Sequence, residues 1–264
     1  MDALLQEMQQ RFGVDFRGYR RDHLWRRVLR RQDLEGLATT EELLRQVRRD
    51  RRALERLRRE LMLQVTSLFR DPEFFRAVRE HVVPWLRSYP QPRLWVAGCA
   101  TGEEVYSYLV LLHEEGLLDR AIVHATDLDA GAVEQARGGH VEGVDLDRAS
   151  ERHLRAGGRR PLSTYLSGPV GSHRLPDEWL GKVVFSVHNL IHDASFHTFH
   201  LISCRNLLMY LDPPAEARAF GVLHDSLAPL GVLGLGNGES LWRFGRRDDY
   251  APLHSVEPLY RRLR

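Results

Sequence analysis

The chain has 264 residues, of which 43% are hydrophobic and 28% are charged, a balance typical of folded globular domains rather than of disordered chains. This length allows one large domain, or a large domain with a smaller one. No apolar run approaches the ~20 residues that a bilayer-spanning helix requires, and the polar, amphipathic start lacks the layout of a signal peptide. We therefore expect a cytoplasmic protein that is not inserted in a membrane.

The net charge of +2 is unevenly distributed along the chain. Residues 1–63 contain 16 arginines against 11 acidic residues and so carry a net +5, which leaves −3 for the remainder. A basic segment of this kind indicates an acidic partner surface, either protein or nucleic acid. The two cysteines, Cys99 and Cys204, form no CxxC motif, and we interpret them as buried small residues rather than a redox pair.

Residues 1–63 have helical periodicity throughout. Apolar residues recur at intervals of three and four, and Thr39 and Glu42 have the spacing of a capping box. The pattern predicts a small all-helical domain at 1–63, followed by a larger domain at 64–264. Residues 72–88 have the apolar spacing of one further helix, after which Pro90 and Pro92 interrupt the chain.

From residue 93 onward, short apolar runs alternate with helical patterns. The runs predict strands at 94–97, 122–125, 183–187, 201–203 and 232–235, and helices at 103–115, 129–137 and 214–227. Alternating strands and helices indicate an α/β fold with a parallel sheet covered on both faces. Residues 140–180, rich in Gly, Pro, Arg and Ser, break the alternation and are interpreted as a loop or a small inserted subdomain.

The first predicted strand leads into a turn containing Gly98 and Gly102, and a helix then begins with Glu103 and Glu104. Ligands of open parallel sheets bind at the carboxyl ends of the strands, and glycine lets the backbone approach them closely. The turn is not a GxGxxG motif, and two acids at a helix N-terminus would repel a phosphate. A cationic or neutral ligand such as S-adenosylmethionine (SAM) fits better, although an ordinary tight turn before an acidic helix start is equally compatible.

Polar groups follow the next three predicted strands as well. Asp127 ends the second strand, where a carboxylate can accept hydrogen bonds from both hydroxyls of a ribose. The third strand is followed by Asn189 and Leu190, and the fourth by Cys204, Arg205 and Asn206. Each polar residue alone could equally cap a helix, but four consecutive strand ends of this kind favour a ligand site.

Two other groups of residues carry less information. Tyr210, four residues after Asn206, lies in an apolar run and by itself resembles a core tyrosine. The histidines His188, His192, His197 and His200 have irregular spacing without HExxH or paired cysteines. We therefore expect no metal.

Six strings of residues resemble, in order, the motifs of the CheR-type glutamate methyltransferases of bacterial chemoreceptors. They are QVTSLFRDP at 64–72, GCATGEEVYS at 98–107, ATDLD at 125–129, HNL at 188–190, SCRN at 203–206 with Tyr210, and GNGESL at 236–241. The similarity runs from about residue 10 to the C-terminus. This chain departs from the family pattern where Gln64 replaces an Asn, Val105 a Pro, and Asn237 and Gly238 a His and a Ser, and where His200 stands for a common Asp.

The resemblance implies a Rossmann-like SAM-dependent methyltransferase sheet with a small all-helical N-terminal domain and a small inserted β-subdomain. It implies methyl transfer to glutamate side chains of a chemoreceptor-type protein in chemotaxis signalling, with S-adenosylhomocysteine (SAH) as the second product and no metal. The implied cofactor contacts are Gln64, Thr66, Arg70, Glu104, Asp127, Asn189, Leu190, Cys204 and Arg205, and the strand-end pattern adds Gly98 and Asn206. Arg70 and Tyr210 would flank the methyl-transfer centre.

The basic helix around Arg27, Arg30 and Arg31 resembles the receptor-docking helix of the family. Because chemoreceptor methylation helices are acidic, the resemblance implies that they bind there, although a solvated basic helix face is an equal alternative. Two other functions remain open. One is a nucleic-acid methyltransferase or binder, but the chain lacks the aromatic and glycine patterns of common RNA-binding modules, and no nucleic acid is expected. The other is a non-catalytic SAM-binding docking module.

Overall fold

The computed structural model describes residues 1–62, 66–169 and 171–264, with the side chains of Trp242 and Arg247 left out. The chain divides into two compact units. The first comprises Met1–Val65 and Tyr210–Glu216, and the second comprises Thr66–Met209 and Ala217–Arg264. Within the described residues, no helix is both long enough and apolar enough to cross a membrane.

The first unit is built from helices. They are α1 (Asp2–Phe12), α2 (Arg21–Leu34), α3 (Thr40–Arg49) and α4 (Arg51–Leu61). Helix α3 begins with the predicted capping box, because the Thr39 hydroxyl accepts a hydrogen bond from the Glu42 N–H and the Glu42 carboxylate accepts one from the Thr39 N–H. The buried sides of these helices carry the apolar residues with the predicted spacing, among them Leu4, Met8 and Leu57.

The second unit is built on a sheet. Its strands are β1 (Arg93–Ala97), β2 (Ile122–Asp127), β5 (Val183–Val187), β6 (Phe199–Cys204), β7 (Leu227–Leu235), β8 (Tyr250–Pro252) and β9 (Leu259–Arg262); a separate antiparallel pair is formed by β3 (His140–Glu142) and β4 (Ser172–Arg174). The seven strands follow the order β5-β2-β1-β6-β7-β9-β8. Strands β1, β2, β5, β6 and β7 are parallel, and β9 is antiparallel to both of its neighbours.

The helices of the second unit follow the strands as the alternating pattern predicts. They are α5 (Pro72–Ala77), α6 (Val83–Leu86), α7 (Glu103–Glu114), α8 (Ala130–Arg137), α9 (Leu146–Arg155) and α10 (Asp177–Leu180), together with the part of α11 (Pro213–Asp225) from Ala217 onward. A π-helical turn, Val78–Val82, joins α5 to α6. The helix predicted over 72–88 is therefore present, but it contains a wider turn of the kind often found at functional sites.

The strand order creates a switch point beside β1. The chain runs from β1 outward to β2 and β5, then returns to the other side of β1 and continues through β6 and β7. In open α/β sheets, ligands bind at the carboxyl ends of the strands beside such a switch. The prediction of an α/β fold with a largely parallel sheet, a helical N-terminal domain and a small inserted β-sheet is confirmed.

Strand β5 forms one edge of the large sheet. Val184 and Val187 on this strand are 48% and 54% exposed. Arg137, on α8, donates a hydrogen bond to the carbonyl oxygen of Phe185 at 2.9 Å, and its guanidinium lies 5.6 Å from the centre of the Phe185 ring. One backbone acceptor in the middle of this edge is therefore occupied by a charged side chain.

Candidate active site

The turn after β1 is held by the neighbouring strand. The N–H groups of Gly98 and Cys99 donate to the carbonyl oxygen of Thr126 at 2.8 and 2.9 Å. Gly102 has a φ of 104°, and a Cβ there would lie 2.6 Å from the ring of Tyr106. Because both the conformation and the space require glycine, the helix start at Glu103 is fixed close to the end of β1.

Asp127, the last residue of β2, is bound by two backbone amides. Its Oδ2 accepts a hydrogen bond from Ala100 N–H and its Oδ1 accepts one from Asp129 N–H, both at 2.9 Å. Burial raises the pKa of Asp127, while these two hydrogen bonds act in the opposite direction. An ionised carboxylate offers about four acceptor positions, so Asp127 keeps capacity for a diol while its orientation is fixed.

Glu104, in the first turn of α7, connects to the end of β6. Its Oε1 accepts a hydrogen bond from the Ser203 hydroxyl at 2.6 Å, and its Oε2 accepts one from Arg205 Nη1 at 3.1 Å. The carboxylates of Glu104 and Asp127 thus both lie where the parallel strands have their carboxyl ends, beside the switch point. Asp127 ends β2, and Glu104 is in the helix that follows β1. Arg205, the cation beside Glu104, also pairs with Asp71.

Arg205 is an internal connector in this structure. Its side chain is 1% exposed, and it donates to the Arg70 carbonyl oxygen at 3.0 Å and to Asp71 Oδ2 at 2.7 Å. The guanidinium also lies 4.1 Å from the centre of the Phe74 ring. The side chain therefore joins β6 and α7 to the segment that carries Arg70, and its two Nη atoms bind protein groups.

The segment around Arg70 has an unusual backbone. Phe69 and Asp71, on either side of it, have φ values of 49° and 56°, a left-handed conformation that costs energy for residues other than glycine. The Ser107 hydroxyl accepts a hydrogen bond from Phe69 N–H at 2.8 Å and donates one to the Glu103 carbonyl oxygen at 2.7 Å. Helix α7 and Arg205 together hold this conformation, so the position of Arg70 is imposed by its surroundings.

The remaining predicted cofactor residues differ in their burial and in the polar groups that they could offer to a ligand. Asn189 uses its side-chain oxygen to accept a hydrogen bond from Ile191 N–H at 2.9 Å, a local turn that leaves its NH₂ group for other partners. The Cys204 side chain is fully buried, and burial raises the pKa of its thiol. Leu190 is buried and Thr66 is half-buried, whereas Gln64 lies outside the described residues.

Tyr210 and the three predicted docking arginines belong to the first unit. The Tyr210 carbonyl oxygen accepts a hydrogen bond from Arg20 N–H at 2.8 Å, and its ring packs edge-on against His23. On α2, Arg27 and Arg31 form ion pairs with Glu60 at 3.3 Å and with Glu35 at 3.4 Å, and only 28% and 15% of their side chains are exposed.

Arg30 is different, because 64% of its side chain is exposed and its nearest acidic atom, on Glu60, is 3.7 Å away. Arg26 is similarly exposed, and Trp25 and Leu29 are partly exposed on the same helix. The outward surface of α2 therefore combines two arginines with two apolar side chains.

Sequence reasoning missed Glu239, which follows β7. Its Oε2 accepts hydrogen bonds from Gly236 N–H at 2.7 Å and Asn206 N–H at 3.0 Å, and its Oε1 accepts one from Met209 N–H at 3.2 Å. Burial raises the pKa of Glu239, and these hydrogen bonds oppose that effect. The only signal in the sequence was its place in the GNGESL string.

Among the histidines between residues 188 and 200, His188, His197 and His200 pack against aromatic rings. His188 lies edge-on to Trp95, and His200 accepts a hydrogen bond from Arg93 N–H at 2.9 Å. Across the described part of the chain, no group of three or more His, Cys, Asp or Glu side chains has the arrangement of a metal site.

Comparison with known proteins agrees with the geometry. The family model described as CheR methyltransferase, SAM binding domain, matches residues 64–254, and the CheR methyltransferase all-alpha domain matches residues 1–62. The methyltransferase Cher3 of Pseudomonas putida is 35% identical over 98% of this chain and 95% of its own length. Chemotaxis protein methyltransferases of Salmonella typhimurium and Listeria innocua are 28% and 26% identical, over 90% and 87% of this chain and 82% and 85% of theirs.

The fold, with carboxylates at the carboxyl ends of its central parallel strands, is that of the SAM-dependent methyltransferase class. Within that class, the chain belongs to the CheR methyltransferase family, because both family models match it and together they span nearly all of it. The resemblance proposed from the six motif strings is confirmed.

Proposed function

We propose that this protein transfers the methyl group of SAM to glutamate side chains of a chemoreceptor-type protein, giving a glutamyl methyl ester and SAH. The observation that carries the proposal is that the carboxylates of Asp127, at the end of β2, and of Glu104, in the first turn after β1, are both held at the switch point of the sheet, beside a turn that requires glycine. Family membership supports the same reaction class. The names of relatives support a role in chemotaxis signalling, and a cytoplasmic location is part of the proposal.

The donor set fits SAM better than a nucleotide phosphate. Asp127 can accept hydrogen bonds from the ribose hydroxyls, and Glu104 contributes a negative charge that suits a cationic ligand. The Asn189 NH₂ group suits the edge of an adenine ring, and the buried Leu190 beside it suits the face. The proposed holders of the cofactor are Gln64, Thr66, Arg70, Gly98, Glu104, Asp127, Asn189, Leu190, Cys204, Arg205 and Asn206.

Bound SAM supplies an electrophilic methyl group. The glutamate that receives it is already ionised at neutral pH, so this chain needs no general base, and its work is to position and desolvate the carboxylate. Arg70 orients a carboxylate through its planar guanidinium, and the contacts of the neighbouring residues hold the backbone from which that side chain extends. Tyr210, by its motif position, is the proposed hydrogen-bond donor at the reaction centre.

For the partner, we propose the acidic cytoplasmic methylation helices of a chemoreceptor. Among the predicted docking residues Arg27, Arg30 and Arg31, the exposed Arg30 is the one best suited to a direct contact, with Arg26 beside it. Trp25 and Leu29 add apolar area to the same side of α2. Aromatic residues and arginines are enriched in protein interfaces, and the positive sign complements an acidic helix.

Isothermal titration with SAM and SAH tests the cofactor site. The wild type should bind both, and Asp127→Ala should lose most of that affinity because the carboxylate is removed. Asp147→Ala, at an exposed position on α9, is the matched control and should bind normally. If the wild type bound neither compound, the proposal would fail, and a non-catalytic docking module would be the better interpretation.

A transfer assay tests the chemistry. Radiolabelled methyl groups should appear on a chemoreceptor cytoplasmic fragment, and they should be released as methanol by mild alkali, which hydrolyses esters but leaves N-methyl groups in place. A fragment in which the accepting glutamates are replaced by glutamine should take up no label. Alkali-stable label on protein, or label on nucleic acid, would contradict the proposal.

A further inference from the structure

Glu239 connects two loops that leave adjacent strands at the site. It follows β7, and its carboxylate receives backbone N–H groups from Gly236 in its own loop and from Asn206 and Met209 in the loop after β6. The residue is 7% exposed. Within the described chain, the Glu239 carboxylate contacts backbone amides rather than a cationic side chain. It therefore acts as a hydrogen-bond acceptor for N–H groups of both loops.

The loop after β6 depends on this carboxylate for its shape. Asn206 has a φ of 58°, a left-handed conformation that side-chain-bearing residues rarely adopt. In that conformation the Asn206 N–H lies outside the regular hydrogen bonds of a helix or a sheet. It donates to the carboxylate of Glu239 instead. Cys204 ends β6, and the loop begins with Arg205 and Asn206. All three are proposed cofactor residues, and the loop leads directly to Tyr210.

Gly236 shows how tightly the two loops are fitted. A Cβ at this position would lie 2.5 Å from Asn206 N, 2.7 Å from Asn206 Nδ2 and 2.8 Å from Glu239 Oε2. Backbone and carboxylate therefore occupy the space that any side chain would need. The contact between the loops requires glycine on one side and an acidic acceptor of this length on the other.

We infer that Glu239 is a positioning residue of the cofactor site, which acts by holding the left-handed turn at Asn206 and not by touching the reacting atoms. The inference rests on the proposed function, since it assigns a role in cofactor binding. An amide in place of the carboxylate keeps the size but replaces one acceptor oxygen by an NH₂ group, which would face the backbone N–H donors. The turn at Asn206 would then lose the group that stabilises it.

The test is SAH affinity by isothermal titration on the full chain, for the wild type, Glu239→Gln, Gly236→Ala and the double variant. Glu239→Gln should weaken SAH binding by about tenfold or more. Gly236→Ala should weaken it as well. Both changes act on one contact, so their effects should not add. The SAH affinity of the double variant should therefore be close to that of whichever single variant binds SAH less tightly.

Glu115→Gln is the matched control. Glu115 is a similarly buried glutamate just beyond the far end of α7, paired with Arg79 and Arg87, so its loss should lower the urea midpoint without changing SAH affinity. Should Glu239→Gln fail to fold, Gly236→Ala, which retains the carboxylate, carries the test. Two outcomes would overturn this inference and leave the proposed function standing. In one, the wild type binds SAH and the variants bind it equally well; in the other, the double variant loses affinity by the product of the two single losses. No binding by the wild type would overturn the proposed function and this inference with it.

Discussion

The guanidinium of Arg205 donates a hydrogen bond to the backbone carbonyl oxygen of Arg70 at 3.0 Å, although the two residues are 135 positions apart in the chain. The same side chain binds the carboxylates of Glu104 and Asp71. One buried cation thus places three parts of the proposed site relative to one another. The contact explains how the left-handed residues that flank Arg70 are kept in place.

Arg205→Lys should therefore destabilise the protein and weaken SAH binding together. A lysine keeps the charge but cannot span two carboxylates and a carbonyl oxygen, which leaves buried acceptors without donors; breaking a buried ion pair costs about 3–5 kcal/mol. Urea unfolding and SAH titration measure the two effects. Arg155→Lys, at an exposed arginine on α9, should be neutral in both. Normal SAH affinity in Arg205→Lys would show that the connector is dispensable.

Arg70→Lys should lower kcat/KM for methyl transfer by about a hundredfold, because the planar fork that orients a carboxylate is lost while the charge is retained. Steady-state kinetics with a receptor fragment measure the loss. Arg76→Lys, at an exposed arginine on α5, provides the control, and full activity in Arg70→Lys would remove this residue from the mechanism.

Glu114 should make the protein sensitive to acid. Burial alone would raise its pKa, but hydrogen bonds from His153, Tyr165 and the Arg159 N–H, with the charge of Arg79, lower the pKa to about 2 from 4.5. The ionised form is therefore favoured by folding. This contributes about 3 kcal/mol that is complete above pH 4.5 and is lost as the pH falls toward 2.

Urea unfolding at several pH values checks this prediction. Glu114→Gln should be less stable than the wild type at pH 7, and the difference should shrink between pH 4.5 and pH 2. Glu134→Gln, at an exposed position on α8, should follow the wild-type profile. A constant difference across that range would mean that ionisation of Glu114 plays no part.

Arg30→Glu should raise KM for a receptor fragment several-fold at low salt and leave kcat nearly unchanged, since an exposed charge at an interface mainly affects association. The effect should diminish at high ionic strength, where the contact is screened. Arg59→Glu, at an exposed arginine on α4, is the control for charge alone. Equal KM values for the two variants would place receptor docking elsewhere.

The central strands were predictable because each is a short apolar run between turns; β5 was predicted at its observed bounds. Strands β8 and β9 were missed because they are three and four residues long, contain Pro252 and two arginines, and depend on pairing with β7. The small strands β3 and β4 were hidden in the irregular stretch for the same reason. Short strands of this kind are stabilised by tertiary contacts and leave little periodic signal.

The site was predictable where its residues end strands, as Asp127 does, because the position within a parallel sheet follows from the alternating pattern. The connections that Arg205 and Glu239 make between separate loops were not predictable, since the partners in the other loops lie 30 to 135 residues away in sequence. Arg31 follows Leu24 by seven residues and Val28 by three, a spacing that places all three on one side of a helix, and the structure buries Arg31 there. The motif resemblance alone assigned Arg31 and the exposed Arg30 the same role in receptor docking.

The charged cover on the β5 edge bears on how this protein behaves at high concentration. An edge strand with outward valines could template the addition of a strand from another molecule, which is a common beginning of aggregation. Arg137 already binds the Phe185 carbonyl oxygen that such a strand would use, and it puts a positive charge there. Two molecules that approach through this edge meet like charges before any backbone pairing can form, so a single arginine helps to keep the sheet from growing beyond its own chain.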